Sequence, residues 1–205
     1  MAESATGLSM EQVLASQRAA QLREGAPSAE QRVERLDRAI DLLVTHSKAL
    51  CEAMRDDFGH RSMDQSALAD IATSIGALKF AKKNLRRWMR AERREADFPL
   101  NLLGAKAEIL FQPKGVVGIV SPWNYPLQLA IIPLVQALAA GNRVMIKPSE
   151  LTPKTSELLK KTLSENFAED EVAVVTGGTE VGATFSTLPF DYLFYTGSTN
   201  VGRMV

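Results

Sequence analysis

From Val116 onward the chain alternates between two kinds of segment, and this alternation limits the fold more than any other feature. Val116-Val117-Gly118-Ile119-Val120, Val144-Met145-Ile146, Val172-Ala173-Val174-Val175 and Tyr192-Leu193-Phe194-Tyr195 are short, dominantly apolar runs that read as strands. They are apolar at successive positions, so both faces of each strand must be covered. Between them, residues 127–139 read as a buried helix closed by Gly141. Thr152-Pro153 opens a second helix, with Thr as N-cap and Pro at the first helical position, and residues 180–187 form a short third. Strands separated by helices predict an α/β fold: a doubly wound, Rossmann-like parallel sheet with right-handed crossovers.

The first hundred residues keep a helical rhythm. An amphipathic segment over 10–23 stops before Gly25-Ala26-Pro27, and Ser28 with Gln31 forms a capping box for the next helix. Leu36, Ile40, Leu43, Leu50, Met54 and Phe58 then mark an apolar stripe that ends at Gly59. Ser62 with Gln65 offers another capping box, opening a segment carried by Ala67, Ile71, Ile75, Leu78, Leu85 and Met89. Glu108-Ile109-Leu110-Phe111 is a strand candidate. The organisation expected is a helical part over 1–100, a strand or crossover over 101–114, and a Rossmann-like segment over 115–205.

Composition narrows the partners. Lys+Arg and Asp+Glu both number 24, so no whole-molecule field draws in nucleic acid or an anionic membrane, and neither is expected as a partner. The N-terminus lacks the pattern of a secretory signal, and the apolar run 127–140 is too short to cross a bilayer. One cysteine, Cys51, rules out an internal disulfide or a zinc finger and fits a soluble, cytoplasmic protein. Cys51 lies on the apolar stripe, where burial raises a thiol's pKa, so it reads as structural. His46 and His60 lack partners at metal-ligand spacing, and no metal is expected. The run Lys82, Lys83, Arg86, Arg87, Arg90, Arg93, Arg94 reads as a solvated helix face or as salt bridges to another subunit.

Ligands of doubly wound sheets sit beyond the carboxyl ends of the strands, which directs attention to 121–126, 147–150, 177–178 and 196–202. Pro122 and Pro126 restrict the backbone around Trp123 and Asn124, so the Asn124 amide could aim at an oxygen and stabilise developing negative charge. The plainer alternative is a rigid turn in which Asn124 caps the next helix and Trp123 fills core. Lys147 and Glu150 could hydrogen-bond ribose hydroxyls, or could be a surface pair around a proline turn. Gly197-Ser198-Thr199-Asn200-Val201-Gly202 places small residues between a strand and a helix start, where a pyrophosphate can approach backbone N–H groups. The spacing is not G-x-G-x-x-G, because Ser198-Thr199 interrupts it.

Together and in order, these blocks resemble the aldehyde dehydrogenase superfamily. The matching residues are Gln112-Pro113-Lys114-Gly115-Val116-Val117-Gly118-Ile119, Pro122-Trp123-Asn124-Tyr125-Pro126, Gly141 to Glu150, and Tyr195 to Gly202. Residues 102–108 are most similar to the class 3 branch, and within it to enzymes acting on coniferyl aldehyde. The resemblance implies an oxidoreductase converting an aldehyde, an aromatic one such as coniferyl aldehyde, to the acid with NAD or NADP. It implies a homodimer or homotetramer when full length, and a helical part over 1–100 belonging to the cofactor-binding domain. By the same resemblance Asn124 is the oxyanion donor, Trp123 the cofactor-side wall, and Lys147, Ser149 and Glu150 line the ribose. Gly197, Ser198, Thr199 and Gly202 form the pyrophosphate turn. In the family a cysteine thiolate attacks the aldehyde and a glutamate activates water; both motifs belong downstream of the 197–202 turn. The expectation is therefore a piece of the enzyme, inactive alone and poorly soluble, with its sheet incomplete. The competing expectation is a non-enzymatic nucleotide-binding or subunit-association module.

Overall fold

The computed structural model describes residues 7–205; residues 1–6, part of the N-terminus expected to carry no secretory signal, lie outside the described residues. Helix α1 spans Met10–Glu24 and α2 spans Ala29–Phe58. The Ser28–Gln31 capping box forms in both directions, with the Gln31 N–H donating to Ser28 Oγ at 3.3 Å and the Ser28 N–H to Gln31 Oε1 at 2.8 Å. Helix α2 ends at Gly59, whose φ of 74° lies in the left-handed region that glycine reaches without a Cβ clash. At Ser62 only half of the expected box is made, the hydroxyl accepting from the Gln65 N–H at 3.4 Å. The following helical run has three parts: α3 (Met63–Ser66), a π-helical stretch over Ala67–Ala72, and α4 (Thr73–Trp88).

Helix does not continue to residue 100. Strands β1 (Glu92–Arg94) and β2 (Ala107–Ile109) form a small antiparallel ribbon, with Glu92 opposite Ile109 and Arg93 opposite Glu108. The strand expected over 108–111 is thus shifted and lies outside the main sheet. The Arg93–Glu108 pair places opposite charges across the ribbon, which favours this register.

The main sheet contains β3 (Val116–Val120), β4 (Arg143–Lys147), β5 (Val172–Val174) and β6 (Tyr192–Tyr195), all parallel in the order β5-β4-β3-β6. Helices α5 (Gln128–Ala139), α6 (Pro153–Asn166) and α7 (Thr179–Thr187) link the strands, and one turn, α8 (Thr199–Gly202), follows β6. Strand side chains alternate between two cores. Val117, Ile119, Val144, Ile146, Val172 and Val174 face α2, α4, α5 and α6. Val116, Met145, Ala173 and Val175 face Val13 and Leu14 of α1 and Phe185 of α7. The N-terminal helices are therefore divided between the two faces of the sheet. Gln17 of α1, fully buried, fastens its helix with its Nε2 donating to Val144 O at 2.9 Å and Glu169 O at 3.1 Å.

Helix α6 begins just beyond the predicted ribose residues, and its cap departs from expectation. Thr152 occupies the N-cap position, yet its buried hydroxyl makes no hydrogen bond. Asp57, at the end of α2, accepts from the Lys154 N–H at 3.0 Å and from the Thr155 N–H at 2.8 Å. A carboxylate at a helix N-terminus satisfies exposed donors and complements the dipole. Replacing Asp57 with Ala should cost about 1–2 kcal/mol in urea unfolding, whereas Thr152→Ala should leave the midpoint almost unmoved. The reverse order would mean that the cap is local.

Candidate active site

Because the strands are parallel, all four carboxyl ends emerge along one edge. Register places Val120 beside Lys147 on one side and beside Tyr195 on the other, each neighbour about 4.8 Å away across the ladder. The ladder persists one residue further, with the Ser121 N–H donating to Lys147 O at 3.1 Å and the Thr196 N–H to Val120 O at 3.0 Å. From β3 the chain moves outward to β4 and β5, then returns to place β6 on the opposite side of β3. The topological switch thus falls between β3 and β6, flanked by residues 121–126 and 196–202.

The 122–126 loop does not take the form of the plainer alternative. Trp123 is 49% exposed and lies tilted against Phe58 at 6.1 Å between ring centroids, so it does not fill core. Asn124 is exposed and does not cap α5: the N–H of Gln128 at the start of that helix donates to Asp70 Oδ1 at 3.0 Å. The Asn124 backbone carbonyl accepts from Arg61 Nη1 at 2.7 Å. Arg61 is 8% exposed and also donates from Nε to Ser66 Oγ at 3.1 Å and from Nη2 to Asp70 Oδ2 at 2.6 Å. Its guanidinium sits 4.9 Å from the Phe58 ring centroid and 5.2 Å from that of Tyr125. Sequence reasoning missed Arg61 and Asp70. The available signal was a carboxylate at position 70 beside the apolar stripe residue Ile71.

Lys147 is not a surface residue. It is 3% exposed, and Nζ donates to Pro148 O at 2.7 Å and lies 3.4 Å from Glu150 Oε2. Burial pulls its pKa below the usual lysine value, with the Glu150 carboxylate opposing that shift. An ammonium has three N–H donors, so these two partners leave one for a ligand oxygen. Ser149 turns inward on its own loop, its Oγ accepting from the Leu151 N–H at 3.2 Å and its carbonyl from Ser156 Oγ at 2.9 Å. Glu150 is exposed beside them.

The 197–202 turn has an internal reason for its glycines. A Cβ on Gly197 would stand 2.2 Å from the Tyr195 hydroxyl oxygen, and one on Gly202 would stand 3.1 Å from the same ring. Tyr195 folds under the turn and donates from its hydroxyl to Ser198 O at 3.2 Å. Ser198 caps α8, its Oγ accepting from the Val201 N–H at 3.4 Å, while its own O–H remains able to donate. Thr199 is exposed at the start of that turn.

The remaining candidates lie elsewhere. Cys51 is 4% exposed within the α2 core, and burial pushes its thiol up, the Asp70 charge adding to this. Among the described residues no group of three or more His, Cys, Asp or Glu could hold a metal ion, and no helix is long and apolar enough to cross a membrane. In the basic run, Lys82 pairs with Asp37 at 2.6 Å and Arg86 with Glu30 at 2.8 Å, so these two cations serve α4–α2 packing within the chain. A hollow of about 850 Å³ between α4, β1 and α5, lined by Phe80, Trp88, Phe111 and Val135 among others, contains none of the candidate site residues.

Fold and edge together define the doubly wound class, in which small ligands bind beyond the strand ends. The model of the aldehyde dehydrogenase family matches residues 2–205. The "Probable coniferyl aldehyde dehydrogenase" of Caulobacter vibrioides is 52% identical over 197 residues, covering 96% of this chain and 41% of the relative. The coniferyl aldehyde dehydrogenase of a Pseudomonas species is 47% identical over 186 residues, covering 91% and 38%. Staphylococcus aureus AldH in its substrate-bound state superposes with a TM-score of 0.89 at 33% identity, over 96% of this chain and 42% of that one. An NAD-dependent benzaldehyde dehydrogenase from Corynebacterium glutamicum gives 0.77 at 28% identity, over 93% and 41%. The chain belongs to the aldehyde dehydrogenase family. It spans 41% and 38% of the lengths of the two curated relatives.

Proposed function

We propose that this chain forms the cofactor-binding part, and supplies the oxyanion donor, of an NAD(P)-dependent aldehyde dehydrogenase. Its substrate class is an aromatic aldehyde of the coniferyl type, in keeping with the names of its relatives. One observation carries the reading: an exposed Asn124, uncommitted to any cap, emerges at the same sheet edge as the buried cation Lys147. The part over 1–100, whose helices lie between Met10 and Trp88, and the sheet segment over 115–205 act as one cofactor-binding unit, joined through 101–114. Cytoplasmic placement rests on the single cysteine, which can form no internal disulfide, and a homodimer or homotetramer on the family resemblance.

The residues present fit a dinucleotide. Lys147 has a spare donor for a ribose hydroxyl, and Glu150 beside it can accept from one. Glu150 also favours NAD over NADP, since a 2′-phosphate would meet its charge. Ser149 shapes that loop, Trp123 walls the cofactor side, and the backbone of Gly197, Ser198, Thr199 and Gly202 lies where a pyrophosphate would pass. When bound, the cofactor supplies the electron acceptor for the oxidation. Asn124 donates its amide hydrogens to the aldehyde oxygen, where negative charge grows as a nucleophile adds to the carbonyl carbon. Cys51 does not serve as that nucleophile, being enclosed in the helical core, where burial pushes its thiol up. The thiolate and the water-activating glutamate come from the portion of the family fold that this chain does not span.

The test is direct binding. NAD+ should quench Trp123 emission saturably in a Trp88→Phe background, and Lys147→Ala should weaken that binding by about tenfold or more, the size of a lost hydrogen bond to a charged group. Absence of saturable quenching, or a Lys147→Ala variant that binds as wild type does, would overturn the cofactor assignment.

A further inference from the structure

Asn124 can stabilise charge only if its amide is held in place before reaction, and the loop that bears it lies on the surface. Two prolines restrict the backbone of residues 122–126 but do not anchor it to anything. The anchor comes from the other half of the molecule. Arg61 lies two residues beyond the Gly59 that ends α2, and its planar guanidinium directs one N–H each to Ser66 Oγ, Asp70 Oδ2 and the Asn124 carbonyl. Phe58 and Tyr125 flank the cation with their rings, and Phe58 also supports Trp123. Trp123, Asn124 and Tyr125 therefore each rest on this cluster. Asp70 completes the clamp from the π-helical stretch, a distortion that recurs at functional sites. Its second oxygen accepts the Gln128 N–H, so one carboxylate holds the start of α5 while its arginine holds the residue four positions earlier. Both ends of the segment from Asn124 to Gln128 are thus tied to one buried ion pair.

We propose that Arg61, locked by Asp70, is the positioning residue for the Asn124 donor: it fixes the Asn124 carbonyl and thereby the direction in which the side-chain amide points. The inference rests on the functional reading of Asn124 given above. Lysine cannot replace Arg61 in this role. Its ammonium carries the charge but not the planar fork that serves three acceptors while packing between two rings.

The experiment is ¹⁵N relaxation on the isotope-labelled chain, with kinetics on the complete enzyme. In wild type, backbone order parameters at Trp123, Asn124 and Tyr125 should match those of the sheet, about 0.85; in Arg61→Lys they should fall below about 0.6 while Ile119 and Ile146 keep theirs. In the complete enzyme the same variant should lose kcat by about 10- to 100-fold, the scale of a slightly misplaced catalytic group, with the KM for NAD+ unchanged. Should Arg61→Lys fail to fold, Asp70→Asn keeps the side-chain volume and an oxygen for the Gln128 N–H and reads out the same loosening. A folded variant whose loop stays as ordered as wild type overturns the proposal. So does a loss of order shared equally by the sheet, which would mark general scaffolding. The relaxation result does not depend on cofactor binding. Failure of NAD+ to quench Trp123 would count against the functional reading, and an unmoved loop against this one.

Discussion

On the proposed role, replacing Asn124 with Ala in the complete enzyme should lower kcat by about 10²- to 10³-fold, the loss found when one side-chain donor to an oxyanion is removed, and should leave NAD+ binding unchanged. The expectation follows from what the side chain does not do in the folded chain. Its amide caps no helix; the start of α5 is held by Asp70. Its loop is fastened through the backbone carbonyl, which survives the substitution. Truncation therefore removes donors without removing structure, and the effect should fall on the step in which charge builds on the aldehyde oxygen. Asn124→Asp sharpens the test. It keeps the shape but exchanges two N–H donors for an acceptor-only carboxylate, so its turnover should be no better than that of the Ala variant. Wild-type turnover by either variant would remove Asn124 from the chemistry.

The second large effect concerns stability. Asp70→Ala should cost about 3–5 kcal/mol, the range found when one partner of a buried ion pair is deleted. Against a typical domain stability of roughly 5–15 kcal/mol this is a large share. The carboxylate is fully buried, and its loss strands the Arg61 cation among Phe58, Tyr125 and Ser66 while freeing the Gln128 N–H. Burial pushes the Asp70 carboxyl up, and the Gln128 amide and the Arg61 charge pull against that shift. The cost therefore reflects an uncompensated charge more than a strong bond. Removing both charges in Arg61→Met with Asp70→Leu should restore much of the lost stability, because a packed apolar pair is often as stable as a buried ion pair. Urea unfolding of the single and double variants distinguishes the two accounts. A double variant no more stable than Asp70→Ala would show that the pair itself, not the orphaned cation, carries the energy.

How far the molecule was legible follows from where its interactions come from. The strands from Val116 to Tyr195 were readable because a doubly covered parallel sheet requires consecutive apolar residues, a local signal. The Ser28 cap and the Gly59 stop were readable for the same reason, each acting within a few residues of itself. Only half of the β1–β2 ribbon was, since its Arg93–Glu108 pairing joins strands separated by a stretch with its own 3-10 helix, Leu100–Leu103, and no local rhythm marks the Glu92–Arg94 partner. The cap of α6 was misplaced because Thr152 stands at the usual position while the working carboxylate, Asp57, lies 98 residues before the Thr155 N–H it accepts. The candidate site divides in the same way. Positions 123, 124, 147, 150 and 197–202 could be picked out because they follow strands. Whether Asn124 was a cap or Lys147 a surface charge depended on Asp70 and on burial, which only the folded chain reveals. The glycines at 197 and 202 have a further requirement, the Tyr195 ring beneath them, that spacing alone did not suggest.

The division of the N-terminal helices between the two sheet faces has a consequence for how the protein is made. Helices α1 and α2 leave the ribosome before any strand of the sheet they enclose has been synthesised. At about 5–20 residues per second, Leu36, Leu43 and Leu50 wait on the order of ten seconds for Val144 and Val172 to appear. Gln17 likewise has no carbonyl to meet until Val144 and Glu169 arrive. The helices between Met10 and Trp88 are therefore made without the sheet they cover, and their apolar stripes meet solvent until its strands follow.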